Sequence, residues 1–202
     1  RLRSTAAHNT VQLDGAELLE AWGSFRSGRR GRACVRFRGA AGGFELLHAG
    51  HDAWSFLPGR PRHERLFAVS ADRLLVLDAV LGAGRHRVRS ALHVHPDLPS
   101  SIGLRVTPRG GSVSTLQVPL HERFNQTREM TEWAVEADAA LPWVGGFALA
   151  SGALVADWRL EFEDGVVRAR VAGFEIRWQV EGGVRGASVT PLAFEAGSGS
   201  AT

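Results

Sequence analysis

An all-β fold, an antiparallel β-sandwich or a stack of sheets, is what this sequence predicts, on three observations. Apolar residues alternate with polar ones over most of the chain, the period of a half-buried strand. Glycine-rich turn signals separate these stretches at short, even intervals. Only one segment, Glu129–Ala140, reads as a short helix. The strands expected in order are Thr10–Leu13, Ala33–Phe37, Phe44–Ala49, Arg65–Val69, Leu74–Leu77, His86–His95, Leu104–Thr107 and Val113–Val118. Ala153–Phe162, Val166–Val171 and Phe174–Val180 follow. Asp14-Gly15, Gly42-Gly43, Gly110-Gly111, Asp164-Gly165 and Gly182-Gly183 supply turns between them. In the hairpin around Asp164-Gly165, Trp158, Leu160 and Phe162 fall on one face and Arg159 and Glu161 on the other.

The 202 residues suffice for one β-domain with its own core. One domain is expected over residues 1–195, with a small, polar, frayed tail at 196–202. No fixed repeat divides the chain. No stretch approaches the roughly 20 apolar residues a spanning helix needs, and no signal peptide is visible.

All 24 basic residues are arginine, a fork that pairs with carboxylate, sulfate or phosphate. The formal net charge is only +3, so no general polyanion field follows and nucleic acid is not an expected partner. Six arginines crowd between Arg26 and Arg38; they read as a solvated strand pair or as a groove facing a polyanion. Cys34 is the only cysteine, which leaves no disulfide or CxxC motif; it reads as a buried, inert residue. Tyrosine is absent. Asn125-Gln126-Thr127 fits a glycosylation sequon, a pattern common by chance.

Several segments in succession carry a family resemblance. "RSTAAHNTVQLDG" at the start is followed by "EAWGSFRSGRR", "HAGHDAW", "RHERLF", "LLVLDAVLGAGRH" and "LHVHP". Together they resemble the C-terminal β-sheet region of heparinase II/III-like polysaccharide lyases, clearly over about residues 1–97 and by order alone beyond. The resemblance implies a bacterial source, a periplasmic or secreted location and an acidic polysaccharide as partner. It also implies a helical toroid N-terminal to the sheet domain, which this chain does not contain. Cleavage in the family is β-elimination next to a uronic acid.

That reaction needs a neutralised carboxylate, a base and an acid, the last two often His and Tyr. By the resemblance His8 is the cleft-facing histidine of the sheet domain. Arg3, Arg62 and Arg65, where they approach the cleft, are expected to hold carboxylate or sulfate groups, and Trp54 to stack on a sugar ring. With no tyrosine, the chain lacks the family's usual acid, so elimination by it alone is not expected. A non-catalytic glycan-binding or structural role is the alternative.

The resemblance also implies a structural zinc ion, with His8 and His63 as its imidazoles and a carboxylate, Asp14 or Asp52, beside them. Within the cluster His48, His51 and Asp52, the pair His51-Asp52 reads as a turn anchor or as a hydrogen-bonding pair that holds histidine tautomers, and His93 and His95 share a strand face. Apart from Trp54, the six tryptophans are expected in the core.

Overall fold

The computed structural model describes residues 3–98, 105–123, 126–150, 158–171, 173–181 and 186–192. They form fourteen strands and one turn of 3-10 helix, Thr5–Ala7. The strands are β1 Val11–Leu13, β2 Ala33–Ala41, β3 Phe44–His51, β4 Arg62–Val69, β5 Arg73–Leu81, β6 Arg85–Val94 and β7 Arg105–Arg109. They continue as β8 Ser112–Arg123, β9 Gln126–Ala140, β10 Trp143–Ala150, β11 Trp158–Glu163, β12 Val166–Val171, β13 Phe174–Gln179 and β14 Gly186–Pro191. All pair antiparallel. Three sheets result, in the orders β1-β6-β9-β8, β2-β3-β4-β5-β10-β7 and β11-β12-β13-β14.

The six-stranded sheet lies in the middle and is covered on both faces. Leu66, Leu75, Leu77 and Ala79 pack with Trp158, Val167, Ile176 and Trp178 of the C-terminal sheet. Val76, Val80, Trp143 and Phe147 pack with Val11, Leu13, Val88 and Val135 of the first sheet. A central strand in such a stack has no wet face, and β5 is buried from Leu75 to Leu81. This is the stacked-sheet form of the expected fold. Asp14 and Gly15, and likewise Asp164 and Gly165, take the positive φ pairs that tight turns require.

Strands β9, β10 and β14 and the residue Cys34 depart from expectation. Glu129–Ala140 is not a helix but the larger part of β9, paired to β6 and β8. Its Glu, Met and Ala residues favour helix locally, yet Trp133, Val135, Ala137 and Ala139 alternate onto the apolar face of the first sheet. Burial on that period outweighs propensity. β10 was not expected because both its faces are buried, so it shows no alternation. Cys34 is half-buried on the edge strand β2 rather than enclosed. The tail 196–202, the turn Gly182-Gly183, Asn125 of the sequon, residue 104 and residues 153–157 lie outside the described residues. Among the described residues no helix is long and apolar enough to cross a membrane.

Candidate functional site

The first residues of the chain are fastened to the first sheet. Glu17 accepts bonds from the Thr5 backbone N–H at 2.5 Å and from its hydroxyl at 2.7 Å. The Asn9 side-chain oxygen accepts from the His93 backbone N–H and from His93 Nδ1, both at 2.7 Å. The Asn9 carbonyl accepts from Arg65 Nη1 at 2.5 Å. His8, held between the 3-10 turn and this anchor, stays exposed.

His8 lines a cleft of about 550 Å³ on the outer face of the first sheet, with Arg89 and His93 of β6, His121 of β8 and Glu132 of β9. These side chains alternate with Val88, Leu92 and Val135, which face the core. Glu132 is nearly buried. It is ion-paired with Arg89 and lies 3.1 Å from His93 Nε2. Burial would raise its pKa; the His93 hydrogen bond and the Arg89 charge outweigh that and hold it low. The cleft thus offers imidazoles and a guanidinium around an ionised carboxylate.

A second polar cluster lies inside the stack. Asp78 is fully buried in β5. Arg65 Nε and His63 Nε2 donate to its Oδ1 at 2.6 and 2.7 Å; Arg65 Nη2 and the Ser90 hydroxyl donate to its Oδ2 at 2.9 and 2.7 Å. Burial alone would raise the Asp78 pKa, but the Arg65 charge and the His63 bond overcome it, and the carboxyl sits well below the usual range. The other nitrogen of His63 meets His51 Nε2 at 3.2 Å, and His51 Nδ1 accepts the Ala53 N–H at 3.3 Å. Donors therefore run one way: Ala53 N–H to His51, His51 Nε2–H to His63, His63 Nε2–H to Asp78. A neutral His51 fits this chain, since a second ring proton would face the Ala53 N–H. Burial, the largest cause, pushes its pKa down to about 4, and the nearby Arg65 charge acts in the same direction.

The opposite face of β4 carries a third cluster. Glu64 is fully buried; His48 Nε2 lies 2.9 Å from its Oε2, and Arg36 pairs with its Oε1 at 3.3 Å. The His48 ring meets Trp178 edge-on at 5.0 Å between centroids. Gly50 of β3 stands opposite Glu64, where a Cβ would fall 2.1 Å from Glu64 Oε2. Only glycine leaves room for the carboxylate.

The residues expected to act together are thus divided. His8 lies at the outer cleft. Arg65 is buried against Asp78 and is not available to a substrate. Trp54 is fully enclosed in the core and cannot stack on a sugar. Arg62 pairs with Glu181 at 2.8 Å, and Arg3 donates to the carbonyls of Gly23 and Ser24.

The donors do not fit the expected zinc ion. His63 takes its carboxylate from Asp78, which lies beyond it in sequence, while Asp14 is held by His86 and Asp52 accepts the Arg32 N–H at 2.6 Å. Both Asp78 oxygens are already engaged by a guanidinium, and a dication there would face that buried positive charge. The described residues gather one set with metal-ligand spacing, His95, Asp97 and Glu122 at the surface. Arg128 already pairs with both of its carboxylates.

Sequence reasoning missed Asp78. Its signal was present: one aspartate inside the apolar run Leu74–Leu81 demands a cation partner. Arg89, His121 and Glu132 carried no comparable signal, because only strand pairing brings them to His8.

Three stacked antiparallel sheets with a histidine-lined cleft on the outer sheet place the chain among all-β domains that present a polar groove. More particularly, it belongs to the heparinase II/III-like family: the model of that family's C-terminal domain matches residues 2–171. Two solved structures share the fold. One is the heparan sulfate lyase HepC from Pedobacter heparinus, 12% identical with a TM-score of 0.59; the match covers 94% of this chain and 31% of that one. The other is the heparinase III BT4657 gene product, 13% identical with a TM-score of 0.59, at 94% and 31% coverage. The chain therefore spans about a third of the length of each. No curated protein sequence matches it.

Proposed function

We propose that this domain forms one wall of the active cleft of a polysaccharide lyase. The lyase would cleave an acidic, uronic-acid-containing glycan by β-elimination, in the periplasm or outside the cell. The observation that carries the reading is the placement of His8 at a cleft shared with Arg89, His93 and His121. A guanidinium such as Arg89 suits a uronate carboxylate or a sulfate, and an exposed imidazole such as His8 is a group that can exchange a proton with a bound substrate. The similarity to heparan sulfate lyases supports an acidic glycan. The chain has no tyrosine, so a phenolic acid would come from elsewhere. That same lack favours the second reading, a domain that binds glycan without cleaving it.

The test is a titration of the isotope-labelled chain with heparan sulfate, alginate and hyaluronan oligosaccharides, following the histidine ring resonances. His8 and His93 should shift, and His8→Ala should weaken binding while changing stability by less than about 0.5 kcal/mol. Unmoved His8 resonances with all three glycans would remove the cleft reading. Unsaturated product formed by this chain alone would show that no second wall is needed.

A further inference from the structure

The segment 20–29 forms a small hairpin outside both cores. Glu20 N–H donates to the Arg29 carbonyl at 3.3 Å, Gly28 N–H to the Glu20 carbonyl at 2.8 Å, and Trp22 N–H to the Arg26 carbonyl at 3.0 Å. Ala21 and Ser27 bridge across it. Arg3 braces the tip through the carbonyls of Gly23 and Ser24, at 2.7 and 2.9 Å. Trp22 and Phe25 nevertheless stand 68% and 101% exposed. Large aromatics on a braced turn, turned to solvent, ask for an explanation.

Trp22 is not loose. Its Nε1–H donates to Glu20 Oε1 at 3.0 Å. One face of its ring rests on Gly28, where an added Cβ would come within 2.6 Å of the six-membered ring. The Gly28 backbone does not take a left-handed φ, so glycine is needed there for room under the indole. The sequence thus spends a glycine and a glutamate on fixing an exposed ring with its other face open. Arg26, Arg29 and Arg30 belong to the same stretch of chain, and the charge of Arg29 already bears on Glu20. Among the described residues, Arg26 meets no carboxylate, and Arg30 is held only through Nε to Ser27 Oγ, at 2.9 Å. Arg29 stacks over Phe56, 3.3 Å from the ring centroid.

We propose that Trp22 is a stacking platform for a pyranose ring of an acidic saccharide, with Arg26 and Arg30 taking its carboxylate or sulfate groups. Sugar rings present C–H faces to indole, and a ring fixed in advance loses little freedom on binding. Unpaired guanidiniums select the anionic sugar. The proposal rests on the preceding reading only for the ligand class, an acidic glycan. The site differs: hairpin 20–29 shares no residue with the cleft at His8.

Calorimetry on the full chain tests this with three probes of equal length: a sulfated heparan tetrasaccharide, an unsulfated hyaluronan tetrasaccharide and neutral chitin tetrasaccharide. At least one acidic probe should bind, the neutral one about tenfold more weakly. Trp22→Ala and Gly28→Val should each weaken binding about tenfold, and Trp22→Phe should restore part of it. None should change the denaturation midpoint, since the hairpin lies outside both cores. Acidic binding that both Trp22→Ala and Gly28→Val leave intact overturns the platform, as does a lack of acidic binding altogether. The His8→Ala and Arg89→Ala variants separate the two sites. Loss of binding in these alone sinks the platform and keeps the cleft; loss in Trp22→Ala and Gly28→Val alone does the reverse.

Discussion

The two faces of β4 solve the same problem differently. On one, Arg65 and His63 serve Asp78 with no water-facing side chain among them. On the other, Glu64 is equally buried, but its cation, Arg36, comes from the edge strand β2 and is 28% exposed. Both carboxylates are held ionised, against burial that would raise their pKa values. The partners of Asp78 are themselves buried, whereas water can reach Arg36. A buried charge stripped of its partner costs far more than one that water can reach. The Asp78 face is therefore the brittle one, and it ties the first sheet to the central sheet through Ser90 and the Asn9 carbonyl.

The largest expected effect comes from Arg65→Ala, which leaves the buried Asp78 carboxylate without its guanidinium, held only by His63 and Ser90. It should destabilise the chain by about 3–5 kcal/mol in chemical denaturation. The double variant Arg65→Ala, Asp78→Ala should cost less than the sum of the single changes. Strict additivity would mean that the pair is not the unit described.

Acid should strike the same face next. His51 has a folded pKa of about 4, below its unfolded value near 6.5. Between these values the unfolded chain binds more protons, so stability falls as pH drops through that window. The loss should be on the order of 2 kcal/mol, smaller than the full shift implies because the ring is not wholly enclosed. Asp78, with its pKa depressed, adds a further loss only as pH falls below about 4. Denaturation midpoints measured from pH 7 to pH 4 should slope in the parent and flatten in His51→Gln; equal slopes would remove His51 as the source.

The smallest effect belongs to the other face. In Glu64→Gln the amide oxygen still accepts from His48, and Arg36 turns to water. The cost should be about 1 kcal/mol. A loss as large as that of Arg65→Ala would erase the contrast between the faces.

Much of the fold was legible because alternation is a direct imprint of one-sided burial. β12 appeared with its exact bounds, and β3 and β6 within two residues. β10 was hidden by burial on both faces, and β9 by residues that favour helix until paired. At the site, the opening segment pointed to His8, and the structure puts it at a cleft. Of the residues expected to hold substrate, Arg65 and Trp54 are buried, because a motif specifies residue order and not the direction in which a side chain points. Trp54 illustrates this: its neighbours His51 and Asp52 suggested a surface, but the turn after β3 folds it under the central sheet.

By itself, then, the sequence determined the all-β class, most strand positions, the family and the lack of a phenolic acid. Each of these depends on composition or on a local period. The tertiary structure alone decided that His63, Glu64 and Arg65, successive in one strand, serve opposite faces and different carboxylates. It alone brought Arg89, His121 and Glu132 to His8, and left Trp22 rather than Trp54 in the open. Those outcomes depend on the register between strands far apart in the chain, which no local pattern encodes.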